Sequence, residues 1–147
     1  MAKNIKKIRW AAPYIEIKGR EAANFELKHV PGVYLIRDKI THQLLYIGFS
    51  GSNLYKTMYR HFQSWNDRQQ IRITYDRDRV QVRVVYCRSA SVASKLEKGL
   101  IIKYEPKDNP QKYWINYEAD QSEKKAVTEY ERAIAEGVIF YAKDLPF

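Results

Sequence analysis

Along the chain, short strand-like runs and longer helical stripes of hydrophobic residues alternate with polar turns. Tyr14 to Lys18 alternates and predicts a short edge strand. Pro31 and Gly32 open a strand over Val33 to Arg37, with Val33 and Leu35 on one side and Tyr34 and Ile36 on the other. The polar stretch Asp38 to Gln43 reads as a hairpin turn, and Leu44 to Phe49 as the returning strand. Ser50-Gly51-Ser52-Asn53 is turn chemistry, with Ser52 or Asn53 as a helix N-cap. Leu54, Met58, Phe62 and Trp65 then recur at helical spacing. Asn66 to Arg79 is polar and Arg-rich, a loop or a small excursion around Ile71 to Tyr75. Val80 to Arg88 predicts a third strand. Ser91 caps a helix that runs to about Tyr104 and is stopped by Pro106. After the Asn109-Pro110 turn, Ser122 to Glu136 predicts a last helix, ended by Gly137. No internal repeat, low-complexity tract or linker interrupts this order. It predicts one α+β domain over residues 1–147, with a small central antiparallel sheet of about three strands flanked by helices.

Composition changes this picture little. A chain of 147 residues can bury one core, and 45% hydrophobic with 29% charged residues excludes a disordered tail. Charge adds more: 26 Lys and Arg against 17 Asp and Glu leave a formal net charge of +9, which points to a polyanionic partner. The excess is uneven. Residues 1–30 form a basic extension with Lys3, Lys6, Lys7, Arg9, Lys18 and Arg20. The stretch from Lys56 to Arg88 holds seven arginines, among them Arg60, Arg68, Arg72 and Arg83. Residues 114–147 form an acidic, helical extension. Phosphate contacts are therefore expected from the front and middle of the chain. The lone Cys87 cannot form an internal disulfide and sits in an apolar run, so a core thiol and a reducing, cytoplasmic setting are expected. The basic start has no apolar stretch after it and no run approaches a membrane span, so neither a signal peptide nor a membrane partner is expected.

Within the helix after Ser91, a step of 100° per residue puts Glu97 in the apolar arc beside Ala93, Leu100, Ile101 and Tyr104. A carboxylate on the packed side must be paired, protonated or bound to a metal. On spacing alone two readings stay open: an ion pair with an arginine across the helix–sheet seam, the commoner outcome, or a metal ligand.

Three pieces in order bear on that choice: Gly32-Val33-Tyr34, then Tyr46-Ile47-Gly48, then the run from Glu97 through Pro106 to Asn109. Jointly, at this spacing, they resemble the GIY-YIG nucleases, the catalytic domains of homing-endonuclease and excision-repair type. The resemblance covers residues 31–113 as a catalytic core. It implies a divalent-metal-dependent endonuclease that hydrolyses phosphodiester bonds in DNA, with one Mg²⁺ or Mn²⁺ held by Glu97. Tyr34 is implied as the group taking the proton of the attacking water, with Tyr46 holding the water or phosphate. A free phenol, with a pKa near 10, needs a nearby cation for that task. Asn109 is implied to buttress the site by hydrogen bonds, and His61 to position the water or donate to a phosphate oxygen.

One position departs from the family pattern. An arginine usually stands one helical turn before the residue at His61, and here that position is Thr57. Arg60, nearby on the polar side of the same helix, is the natural substitute, because its fork can grip a phosphate at two points. Lys56, Arg60, Arg68, Arg72 and Arg83 are the expected nucleic-acid contacts, reading backbone and shape rather than base edges. No recognition module is visible, so specificity comes from the domain itself, a homodimer or a partner protein. A prokaryotic, phage or mobile-element origin fits this type of domain. The alternative reading, motivated by Thr57, is a catalytically weak or inactive nucleic-acid-binding module on the same fold.

Overall fold

The structure is a computed structural model that describes residues 5–7, 10–11, 31–52, 75–76, 78–110, 114–115, 117–136 and 139–141. In chain order its elements are β1 (Ile5–Lys7), β2 (Trp10–Ala11), β3 (Gly32–Asp38), β4 (Leu44–Ser50), β5 (Val80–Tyr86), α1 (Ala90–Tyr104), α2 (Gln121–Glu136) and β6 (Ile139–Tyr141). The expected strand at Tyr14–Lys18 and the expected helix over Leu54–Trp65 lie outside the described residues.

Three seven-residue strands make the body of an antiparallel sheet of order β2-β5-β3-β4. These are the three strands the pattern predicts. The fourth, β2, is two residues long, too short for alternation to reveal. The β1 and β6 strands pair in a separate two-stranded ribbon. The turn between β3 and β4 is built by Asp38, whose Oδ1 accepts from the backbone N–H groups of Ile40 and Thr41, both at 2.8 Å. Those two bonds hold the Asp38 carboxyl below its ordinary range. His42 completes the turn at φ 66.

The alternation of β3 divides the core as expected. Val33 and Leu35 join Ile47, Val85, Cys87 and the apolar faces of α1 and α2, whereas Tyr34 and Ile36 pack with Leu45, Val80 and Val82 on the other face. A bulge breaks the register of β4: Ile36 is opposite Tyr46 and Arg37 opposite Leu44, so Leu45 is the extra residue. Both Leu45 and Tyr46 thereby join the Tyr34 cluster, which strict alternation would not allow. Cys87 is buried, and desolvation pushes its thiol up to about 12. It is the inert core thiol its apolar run predicts.

The helix caps differ slightly from their expected positions. Ser89, not Ser91, caps α1, its side chain accepting from the Val92 N–H at 3.2 Å. Two serines spaced by one residue cannot be ranked from sequence. The helix ends at Glu105 in the left-handed conformation, directly before Pro106. The α2 helix starts one residue early, at Gln121, because Asp120 and Glu123 form a reciprocal cap. Asp120 Oδ1 accepts from the Glu123 N–H at 2.8 Å and Glu123 Oε1 from the Asp120 N–H at 2.9 Å. This cap accounts for burial of the Glu123 carboxylate, which also meets Lys98 Nζ at 3.5 Å. Where α1 crosses α2, Gly99 lets them touch: a Cβ there would lie 2.7 Å from Val127 Cγ2 and 2.9 Å from the Glu123 carbonyl oxygen. Among the described residues no helix is long and apolar enough to cross a membrane.

Candidate active site

The outer edge of β4 is where the singled-out residues meet. After α1 the chain turns back along that edge, where the N–H groups of Lys107 and Asp108 donate to the carbonyls of Leu44 and Leu45 at 3.2 and 2.8 Å. Asn109 then continues the pairing with its side chain. The Ile47 N–H donates to Asn109 Oδ1 at 2.9 Å, and Asn109 Nδ2 donates to the Ile47 carbonyl at 3.0 Å. The amide thus imitates a strand residue. Two buried bonds fix the middle of the Tyr46-Ile47-Gly48 segment to the turn below α1.

Above this turn lies a cavity of about 490 Å³, lined in part by Tyr46, Ser94, Glu97, Lys98, Ile101 and Asn109. Glu97 flanks the buried stripe of Ala93, Leu96, Leu100 and Ile101 and is itself half-buried. Among the described residues no hydrogen bond or ion pair reaches its carboxylate, and desolvation pushes it up to about 7. The neighbouring Lys98 is directed to Glu123 instead. The arginine partner weighed from spacing is therefore not found among the described residues.

Tyr46 lines the same cavity, but Tyr34 does not: it is only 2% exposed, with its ring centroid 6.2 Å from that of Tyr46. Gly48 makes room for Tyr34. The two residues are opposite each other across the β3–β4 pair, and a Cβ at position 48 would overlap the Tyr34 hydroxyl. Glycine at this position is a packing requirement of the tyrosine.

Sequence reasoning missed a third tyrosine. Tyr75 packs against the Tyr34 cluster and donates its hydroxyl to Asp108 Oδ2 at 2.8 Å. Burial and that carboxylate both raise its pKa, so the phenol stays protonated. No local signal announces this contact, because it joins an irregular segment to a turn 33 residues away. Lys56, Arg60, His61, Arg68 and Arg72, like Thr57, lie outside the described residues. Arg83 is described, and it sits on the helix-covered face of β5, where it donates to the Tyr130 hydroxyl at 2.9 Å.

The residues present suit one kind of ion. Among the described residues no three ligating side chains cluster, which excludes a site built on several His, Cys or carboxylate ligands there. A single desolvated carboxylate with no partner among the described residues, beside amide and phenol groups in an open cavity, fits a hard divalent cation that keeps most of its waters. In comparison with known proteins, a family model described as the GIY-YIG catalytic domain matches residues 30–114. No curated protein and no solved structure matches.

Proposed function

The chain belongs to the GIY-YIG family, whose model matches more than half of it, and from that premise we propose a divalent-metal-dependent endonuclease cutting DNA with Glu97 as the sole protein ligand. Membership makes the chain a phosphodiester-hydrolysing nuclease acting on nucleic acid, of a family that typically uses a divalent metal. The finer reading is carried by the carboxylate of Glu97, desolvated and without a partner among the described residues. Burying a negative charge this way is unfavourable unless a cation joins it. A bound Mg²⁺ or Mn²⁺ would supply charge neutralisation at the scissile phosphate and at the leaving 3′ oxygen.

The chain's own groups do the rest. Tyr46 borders the cavity, so burial supports exchanging the roles expected of the two tyrosines: Tyr46 takes the proton of the attacking water, and Tyr34 backs its ring. Asn109 holds the β4 edge in register beneath Tyr46. Arg60 grips the scissile phosphate in place of the arginine absent at Thr57, and His61 orients the water; these two roles rest on the sequence. Lys56, Arg68 and Arg72 contact the backbone. In-line attack leaves a 5′-phosphate.

Incubation with supercoiled plasmid and with single-stranded DNA, in Mg²⁺ or Mn²⁺, tests this beside a Glu97→Ala control. Metal-dependent nicking by the wild type is expected, with loss of Glu97 slowing it over a hundredfold, about 3 kcal/mol of barrier. Equal cleavage by the control, or none on any substrate, refutes the reading.

A further inference from the structure

A second cavity, of about 320 Å³, lies over the helix-covered face and is lined by Trp10, Arg37, His42, Arg83, Tyr130 and Glu131 among others. Among the described residues it shares no lining residue with the Glu97 cavity. Arg37 and Arg83 are diagonal neighbours on β3 and β5, since Leu35 is the partner of Arg83 and Arg37 stands two residues further along. Trp10 is the cross-strand partner of Arg83 on β2. Its ring is 4.3 Å from the Arg37 guanidinium carbon and 4.6 Å from that of Arg83. One indole thus holds two cations that repel each other.

Among the described residues their remaining partners are neutral. Arg37 Nε donates to Gln81 Oε1 and Arg83 Nη1 to the Tyr130 hydroxyl, both at 2.9 Å. Arg83 Nε is buried without a hydrogen-bond partner among the described residues. Among the described residues neither arginine has a salt bridge. The carboxylate that lines the cavity, Glu131, is engaged by Lys103 Nζ at 2.7 Å and by the Tyr104 hydroxyl. Two partly desolvated guanidinium groups with no counter-charge and one orphaned N–H among the described residues are the inverse of a satisfied structural ion pair. An anion with several acceptor oxygens supplies what they lack.

We propose that Arg37, Arg83 and Trp10 form a second, non-catalytic site that binds a backbone phosphate of the nucleic acid. It rests on the nuclease reading, which makes nucleic acid the polyanion at hand. Contact with the Trp10 ring restrains the two forks, which suits two-point recognition of a phosphate. The strain is visible in Arg37, whose pKa is lowered by desolvation and by the charge of Arg83. The phosphate held here is not the scissile one.

The test is binding of a fluorescently labelled DNA duplex to the full chain, in chelator to prevent cleavage, over a range of salt concentrations. R37Q/R83Q is expected to bind roughly tenfold more weakly, with the slope of log affinity against log salt reduced by about one. R37K/R83K should keep the slope but recover only part of the affinity, since an ammonium lacks the fork. Should R83Q fail to fold for want of its bond to Tyr130, R37Q alone carries the same expectation. Affinity and slope equal to the wild type would overturn the proposal while leaving the nuclease reading intact. So would a site that competes for inorganic phosphate while its loss leaves DNA binding unchanged. Absence of DNA binding by every form, wild type included, would overturn both.

Discussion

At the residue scale, Glu97 links folding to function through one proton. Its carboxyl is raised from 4.5 to about 7, so the metal-free folded protein keeps a proton that the unfolded chain has released across that window. Stability must fall as pH rises through the window, and above it the ionised carboxylate costs on the order of 3 kcal/mol. Glu97→Gln removes that cost. In chelator the variant should melt a few degrees above the wild type at pH 8, with the difference closing towards pH 4.5. Added Mg²⁺ should raise the wild-type midpoint and leave the variant unmoved; a pH-independent difference would mean burial does not govern this group. Gly48 is the second sensitive residue. In Gly48→Ala the new methyl group must displace the Tyr34 ring, costing about 1–3 kcal/mol of stability. Because Tyr34 backs Tyr46, single-turnover cleavage should slow by roughly ten- to a hundredfold with DNA affinity little changed. Unaltered cleavage would show that the ring's position is immaterial.

Among elements, the β4 edge and the α1–α2 crossing do most to position the site. The hairpin and α1 were readable because their patterns are strong: period-two alternation with Gly-Tyr pairs, and a carboxylate out of place in an apolar stripe. The bulge at Leu45 was not, since one extra residue leaves the hydrophobic pattern of β4 looking regular while turning Leu45 and Tyr46 to one face. Nor were β1, β2 and β6, each two or three residues long and defined only by distant partners. Asn109 could be placed from the family motif, but its two bonds to Ile47 span 62 residues and belong to the fold. The helix crossing makes its own prediction. Gly99→Ala puts a methyl group against Val127 and the Glu123 carbonyl, so α1 must shift away from α2. A loss of about 1–3 kcal/mol is expected in chemical denaturation. With it should come weaker Mg²⁺ protection against thermal unfolding, because Glu97 rides on the displaced helix. A variant as stable as the wild type would show that the two helices tolerate the separation.

Across the whole molecule, charge and sites have a consistent geography. The acidic side chains concentrate on the last third of the chain, where α2 packs against α1, while the net charge of +9 comes from the front and middle. The sequence could disclose that asymmetry, because it is a matter of composition along the chain. It could not disclose that Arg37, Trp10 and Arg83 converge, or that Tyr75 joins Tyr34 and Tyr46, because each group is assembled from three separate segments. What unites these levels is the proposed single cation at Glu97, between the turn that Asn109 builds and the phenol of Tyr46. Anomalous diffraction from a crystal of the full chain soaked in Mn²⁺ measures this directly. One peak within coordination distance of the Glu97 carboxylate is expected, absent from Glu97→Gln crystals treated alike. A cavity without manganese in the wild type, or a peak that persists in the variant, would show that Glu97 does not hold the metal.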